Sequence, residues 1–221
     1  MAKDFITVVG SSYYEPIADL IDRLLARSRS GSTPVNIGHR ENGYCCSIVL
    51  LLVVTLESYV TRVNFLQRQK GRKGKRKLKG ASVPDYLASL RKKFSLKKSL
   101  TEVFVLRDLL AHNHLWTQTV SQHKTHYLIL RDAVLDPEFG DYKYSVSVNQ
   151  KTRRTKVLGL NVVPTKVGLS EVVKVFGVIW RVLSFLQRSK LLEPAAFRGS
   201  VRFQGKTQEF WELRHVVKSA L

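Results

Sequence analysis

Thirteen consecutive residues, Tyr44 to Leu56, carry no charged side chain. Such a run must be enclosed on every side, because each large apolar side chain removed from water contributes about 1.5–3 kcal/mol. It falls short of the ~20 residues a membrane span needs, and Glu57 closes it. It therefore reads as the core half of a helix from about Arg40 to Gln67, whose second half (Glu57, Ser58, Arg62, Asn64) turns amphipathic. The rest of the chain supplies covering helices. One starts near Ser12 with Pro16 in its first turn, and Ile17, Leu20, Ile21, Leu24 and Leu25 recur at helical spacing. A short one follows Ser82-Val83-Pro84-Asp85. A fourth spans roughly Leu100 to His112, or a turn further to Trp116, behind an S-x-x-E capping box at Ser99–Glu102. The last is Ser170 to Lys190.

Between the fourth and last helices the period changes. Tyr127–Arg131, Tyr142–Asn149 and Arg153–Val163 are rich in β-branched and aromatic residues, with a turn at Asn149–Thr152. The expected fold is mainly α: an up-and-down helical bundle forming one domain over 1–221. It carries a mobile basic loop at 70–80, a small antiparallel β insertion at 126–165 and a C-terminal extension at 196–221. That extension is expected to hold a strand at Phe197–Gln204 and a helix at Gln208–Lys218.

Charge narrows the partners. Lys and Arg number 37 against 17 Asp and Glu, a formal net charge of +20, on a chain that is 44% hydrophobic. That composition excludes a disordered basic tail and points to a polyanion. The cations concentrate in KGRKGKRKLKG, where Lys70, Arg72, Lys73, Lys75, Arg76, Lys77 and Lys79 have no apolar face beside them. Attraction to an RNA backbone is the leading reading of this loop; a nuclear-localisation signal or plain solubility has the same look. Arg153, Arg154 and Lys156 extend the cationic surface, and Tyr13, Tyr14 and Trp116 are candidates for stacking bases. Cys45 and Cys46 are adjacent and fit a reducing compartment. The start of the chain lacks a signal-peptide core, so a soluble, cytoplasmic protein with no membrane partner is expected.

No phosphate-binding glycine loop is present, and no metal or other cofactor is expected. His112, His114, His123 and His126 lack a carboxylate or thiolate among them. Gly10-Ser11 with Asp19 and Asp22 is not a nucleotidyltransferase site, because acids three apart on a helix do not alternate as strand-borne metal ligands do.

The chemistry-bearing stretch is Val105 to His114. At about 100° per residue, Arg107, Asp108 and His112 fall within an arc of roughly 140°, away from the core stripe Val103, Leu106, Leu109 and Leu110. Phe104, Ala111 and Leu115 share that arc, which suits a partner surface better than water. A guanidinium matches phosphate oxygens and an imidazole moves protons near neutrality. Together they are the minimum for metal-free RNA transesterification, with two copies supplying both acid and base. Asp108 would orient one of them; Glu57, Asn113 and His114 are candidate supporting residues. The bland alternative is an exposed polar face with local Arg–Asp contacts.

The run RDLLAHN, Arg107 to Asn113, within a helical bundle resembles the HEPN superfamily, whose R-x4-6-H motif maps onto Arg107 and His112. Asp108 stands where Asn is commonest in that family, and Asn113 is frequent after its His. Leu56-Glu57-Ser58-Tyr59-Val60 is similar to the family's second helix. The resemblance covers about 12–120 and 168–190 and leaves out Tyr127–Val163. It implies a metal-independent endoribonuclease whose site forms across a homodimer, each chain giving one Arg and one His. Many members are toxins or antiviral-defence effectors, some with an antitoxin or partner protein. The alternative is a non-catalytic nucleic-acid-binding module of the same fold acting with a partner.

Overall fold

A computed structural model describes residues 9–28, 39–69, 82–90, 94–111, 116–123, 126–135, 142–192 and 198–221. The architecture is mainly helical with small antiparallel strand pairs, as expected. The uncharged run lies inside α2 (His39–Gln69), which packs against α1 (Tyr14–Ser28), α4 (Lys97–Ala111) and α6 (Leu169–Arg188). Ile48, Val49, Leu52, Val53, Leu56, Tyr59, Val60 and Val63 of α2 are all buried. Over Glu41–Gln69 the helix extends well past the thirteen-residue run, which remains its most apolar part. It is the one described helix that could cross a membrane by length and composition, with half of its most apolar window buried inside the protein.

A 3-10 turn, Val9–Tyr13, leads into α1 and presses on α2. Gly10 donates its N–H to Ser58 Oγ at 2.9 Å, and a Cβ placed there would sit 2.9 Å from the Thr55 carbonyl. The close approach of backbone to helix explains the glycine.

α3 (Val83–Leu90) begins at Ser82, whose hydroxyl accepts the Asp85 N–H at 3.3 Å as a cap. β1 (Trp116–His123) and β2 (His126–Leu135) form an antiparallel hairpin in which His123 pairs with His126. Trp116 thus opens a strand rather than ending a helix.

Three expectations for the middle of the chain are corrected. Tyr142–Ser147 is a short helix, α5, and only Val148–Asn149 (β3) is extended, pairing with Arg154–Thr155 (β4). The turn at Asn149 holds, since Asn149 Oδ1 accepts the N–H groups of Lys151 and Thr152. Beyond Thr155 the remainder of Arg153–Val163 is turns and a single bridge, Arg154 to Asn161, not a strand. Ser99–Glu102 is not a capping box: α4 starts at Lys97, and the buried Glu102 carboxylate accepts the N–H groups of Val157 and Leu158, each at 2.7 Å. Tyr144, Val148 and Val162 pack against Val105 and Leu109 in a second small core. Residues 144–162 of the insertion are therefore fastened to α4 by a carboxylate and an apolar patch.

The C-terminal segment is no appendage. β5 (Ser200–Phe203) and β6 (Lys206–Glu209) join through Gln204 and Gly205, both at positive φ, the geometry of a tight hairpin turn. A 3-10 turn at Phe210–Glu212 and α7 (Leu213–Ser219) follow. Phe210 stacks on Tyr14 at 4.0 Å between centroids, Trp211 meets the same ring edge-on, and both contact Phe176 of α6. Tyr14 is thus core, hydrogen-bonded to Tyr59 at 2.7 Å, and not a base-stacking residue.

Candidate functional site

Arg107 projects from α4 towards α2. On a helical wheel it lies within about 40° of Leu100 and Val103, both fully buried. The residue is accordingly half-buried, with 23% of its side chain exposed, rather than pointing away from the core as the wheel arc suggested. Its Nη2 donates to Glu57 Oε1 at 2.9 Å, and its Nη1 forms an ion pair with Asp108 Oδ1 at 3.1 Å. The guanidinium lies over the Phe104 ring, 5.1 Å from the centroid. Phe104 itself is largely buried and borders the cleft beneath the guanidinium, whereas Ala111 is exposed. Nε is enclosed and finds no acceptor among the described residues. Three partners therefore fix the plane of one cation.

This cluster forms one wall of an open cleft of about 600 Å³. Thr61 of α2, Asp85 of α3, Lys97 of α4, and Tyr142, Lys143 and Val146 of α5 line the same cleft. Lys97 and Asp85 pair at 2.9 Å. Burial holds the Glu57 carboxyl above its ordinary value of 4.5; the Arg107 charge opposes that shift and the Asp108 charge adds to it.

Of the sequence-derived site residues, the structure brings together Arg107, Asp108 and Glu57. Glu57 comes from fifty residues away, on the neighbouring helix, as the orienting role requires. His112, Asn113 and His114 lie outside the described residues, as do Lys70, Arg72, Lys73, Lys75, Arg76, Lys77 and Lys79 of the basic loop. The described part of α4 ends at Ala111, one residue before His112. Among the described residues no group of three His, Cys, Asp or Glu is placed to hold a metal ion. Missed by the sequence reading is the α5 wall, because Tyr142–Ser147 was expected as a strand. Its signal was nonetheless present, as residues 142–166 contain Lys and Arg but no Asp or Glu.

No family model, curated protein or solved structure matches this chain. The class that can be stated is the fold itself: a mainly helical protein with a carboxylate-clamped arginine in an open cleft.

Proposed function

We propose that the chain is a metal-independent, HEPN-type endoribonuclease acting as a homodimer, and that it serves as a toxin or antiviral-defence effector. The observation that carries this reading is Arg107, clamped by Glu57 and Asp108 in the wall of a cleft of about 600 Å³. That volume lies within the ~300–1,000 Å³ typical of small-molecule sites. A preorganised cation pays no reorganisation when charge develops on a phosphorane.

In the reaction the RNA 2′-oxygen attacks the adjacent phosphorus and the bond from phosphorus to the 5′-oxygen breaks. One His112 takes the proton from the 2′-hydroxyl, and the His112 of a second copy donates one to the leaving 5′-oxygen. Arg107 binds the non-bridging oxygens, and Asp108 and Glu57 hold it in place. The products are a 2′,3′-cyclic phosphate and a 5′-hydroxyl.

One observation favours a second reading, a non-catalytic nucleic-acid-binding module. The Arg107 charge is already matched by two carboxylates, which weakens its pull on a phosphate. Incubation of labelled RNA with wild type, Arg107→Ala and His112→Ala in the presence of EDTA separates the two. Cutting by wild type alone supports the ribonuclease; salt-sensitive binding by all three without cutting supports the module.

A further inference from the structure

We infer that the 142–166 segment is the single-stranded RNA track of the cleft, with Tyr142 as the platform on which one base stacks beside the Arg107 wall. The inference deepens the ribonuclease reading and rests on it for the choice of RNA over DNA. Between residues 142 and 166 the chain has six Lys or Arg and no Asp or Glu. The segment is fixed relative to Arg107, because Glu102 of α4 takes two of its N–H groups and Val105 and Leu109 hold Tyr144, Val148 and Val162. A rigid cationic surface docked on the arginine helix costs little further ordering when a polyanion arrives.

Tyr142 is 81% exposed and Val146 50% exposed, and both line the same cleft as Arg107. Tyr144 and Ser147 occupy the inward face of the same helix, so the fold does not need the Tyr142 ring for packing. An exposed aromatic on a fixed element offers a π face to any base, and only an unpaired strand can present one. Lys143 is adjacent, and Lys156 donates to the Val146 carbonyl at 2.6 Å, which places a second ammonium against α5. Lys151 and Arg154 lie further along the exposed side, Arg154 being held by the Gly159 carbonyl at 2.9 Å and lying 3.9 Å from the Glu171 carboxylate. Inside the cleft the charges balance, with Glu57, Asp85 and Asp108 against Lys97, Arg107 and Lys143. The attraction for phosphate therefore comes from the segment outside, which guides the strand across α5 and one base onto Tyr142. A second copy seated on the 142–166 surface itself, rather than meeting the chain at the His112 end of α4, would bring the same cations face to face, so charge argues for a polyanion as occupant of that surface.

The test is fluorescence anisotropy with a labelled single-stranded RNA made uncleavable by 2′-O-methylation, and with the matched duplex. Tyr142→Ala is expected to weaken single-strand binding about tenfold while Tyr142→Phe retains it, with both unfolding at the wild-type temperature. Combined Lys143→Ala, Lys151→Ala and Lys156→Ala should lower the slope of log affinity against log salt by about 2, at ~0.7 per phosphate contact. Equal binding by wild type and Tyr142→Ala overturns the inference. So does absence of single-strand binding, equal affinity for the duplex, or a Tyr142-dependent dimer in place of RNA binding. Cutting is scored separately on unmethylated RNA. Tyr142-dependent binding without cutting defeats the ribonuclease reading and leaves the track standing; cutting with Tyr142-independent binding does the reverse.

Discussion

Replacing Glu102 by Ala tests whether the insertion is fastened to α4 as described. The carboxylate is buried, and it accepts the N–H groups of Val157 and Leu158 at 2.7 Å each. Hydrogen bonds to a charged group contribute about 1.5–3 kcal/mol apiece. Val157 is 54% exposed, so water can replace part of what its N–H loses. The lower end of the sum applies, about 3 kcal/mol. A domain of this size shifts by roughly 2–4 °C per kcal/mol, giving a fall in Tm of about 6–12 °C. Amide hydrogen exchange reads the effect locally. Protection of Val157 and Leu158 should drop by about 100-fold, since each 1.4 kcal/mol is a factor of ten. The Ile48 and Leu52 amides at the centre of α2 should slow or quicken only with global stability. Unchanged exchange at Val157 and Leu158 would refute the fastening, and with it a fixed α5 wall.

Three further outcomes follow from the packing and electrostatics. Phe210→Ala removes a fully buried ring stacked on Tyr14 and should destabilise by about 3–5 kcal/mol in urea unfolding; a loss under 1 kcal/mol would mean the C-terminal segment is only loosely attached. Glu57 binds its proton more tightly folded than unfolded, so its contribution to stability is greatest below pH 4.5 and falls as pH rises towards its raised folded value. Carboxyl NMR titration should show that midpoint rise further in Arg107→Ala and fall in Asp108→Asn; opposite signs would contradict the clamp. Burial pushes the Cys45 thiol up to about 12 and Cys46 up to about 11, so neither should react with iodoacetamide at neutral pH until denaturant is added.

Legibility in the sequence followed the range of the forces involved. The α2, α1 and α6 helices were readable because their apolar spacing is local and their partners need only be apolar. Tyr142–Ser147 misled because Tyr-Lys-Tyr-Ser-Val-Ser alternates at period two. The burial that matters there is Tyr144 with Ser147, three apart, against α4. Glu102 imitated a capping box, yet its partners are more than fifty residues away and only the fold reveals them. Arg107 and Glu57 were identified from the motif and from the second-helix segment. Their 2.9 Å contact depends on how α4 turns against α2, which a wheel centred on the Arg–His arc misplaced. Tyr14 looked like a free aromatic at a helix start until Phe210, from the far end of the chain, covered it.

The most direct measurement is the chemistry of the RNA ends produced in the presence of a chelator. With EDTA, wild type should leave 2′,3′-cyclic phosphates and 5′-hydroxyls, a substrate with 2′-deoxy at the scissile position should resist, and Arg107→Ala should bind RNA without cutting it. Absence of cutting, cutting that needs a divalent metal and leaves 3′-hydroxyls, or full activity in Arg107→Ala would contradict the assignment of this cleft as a ribonuclease site.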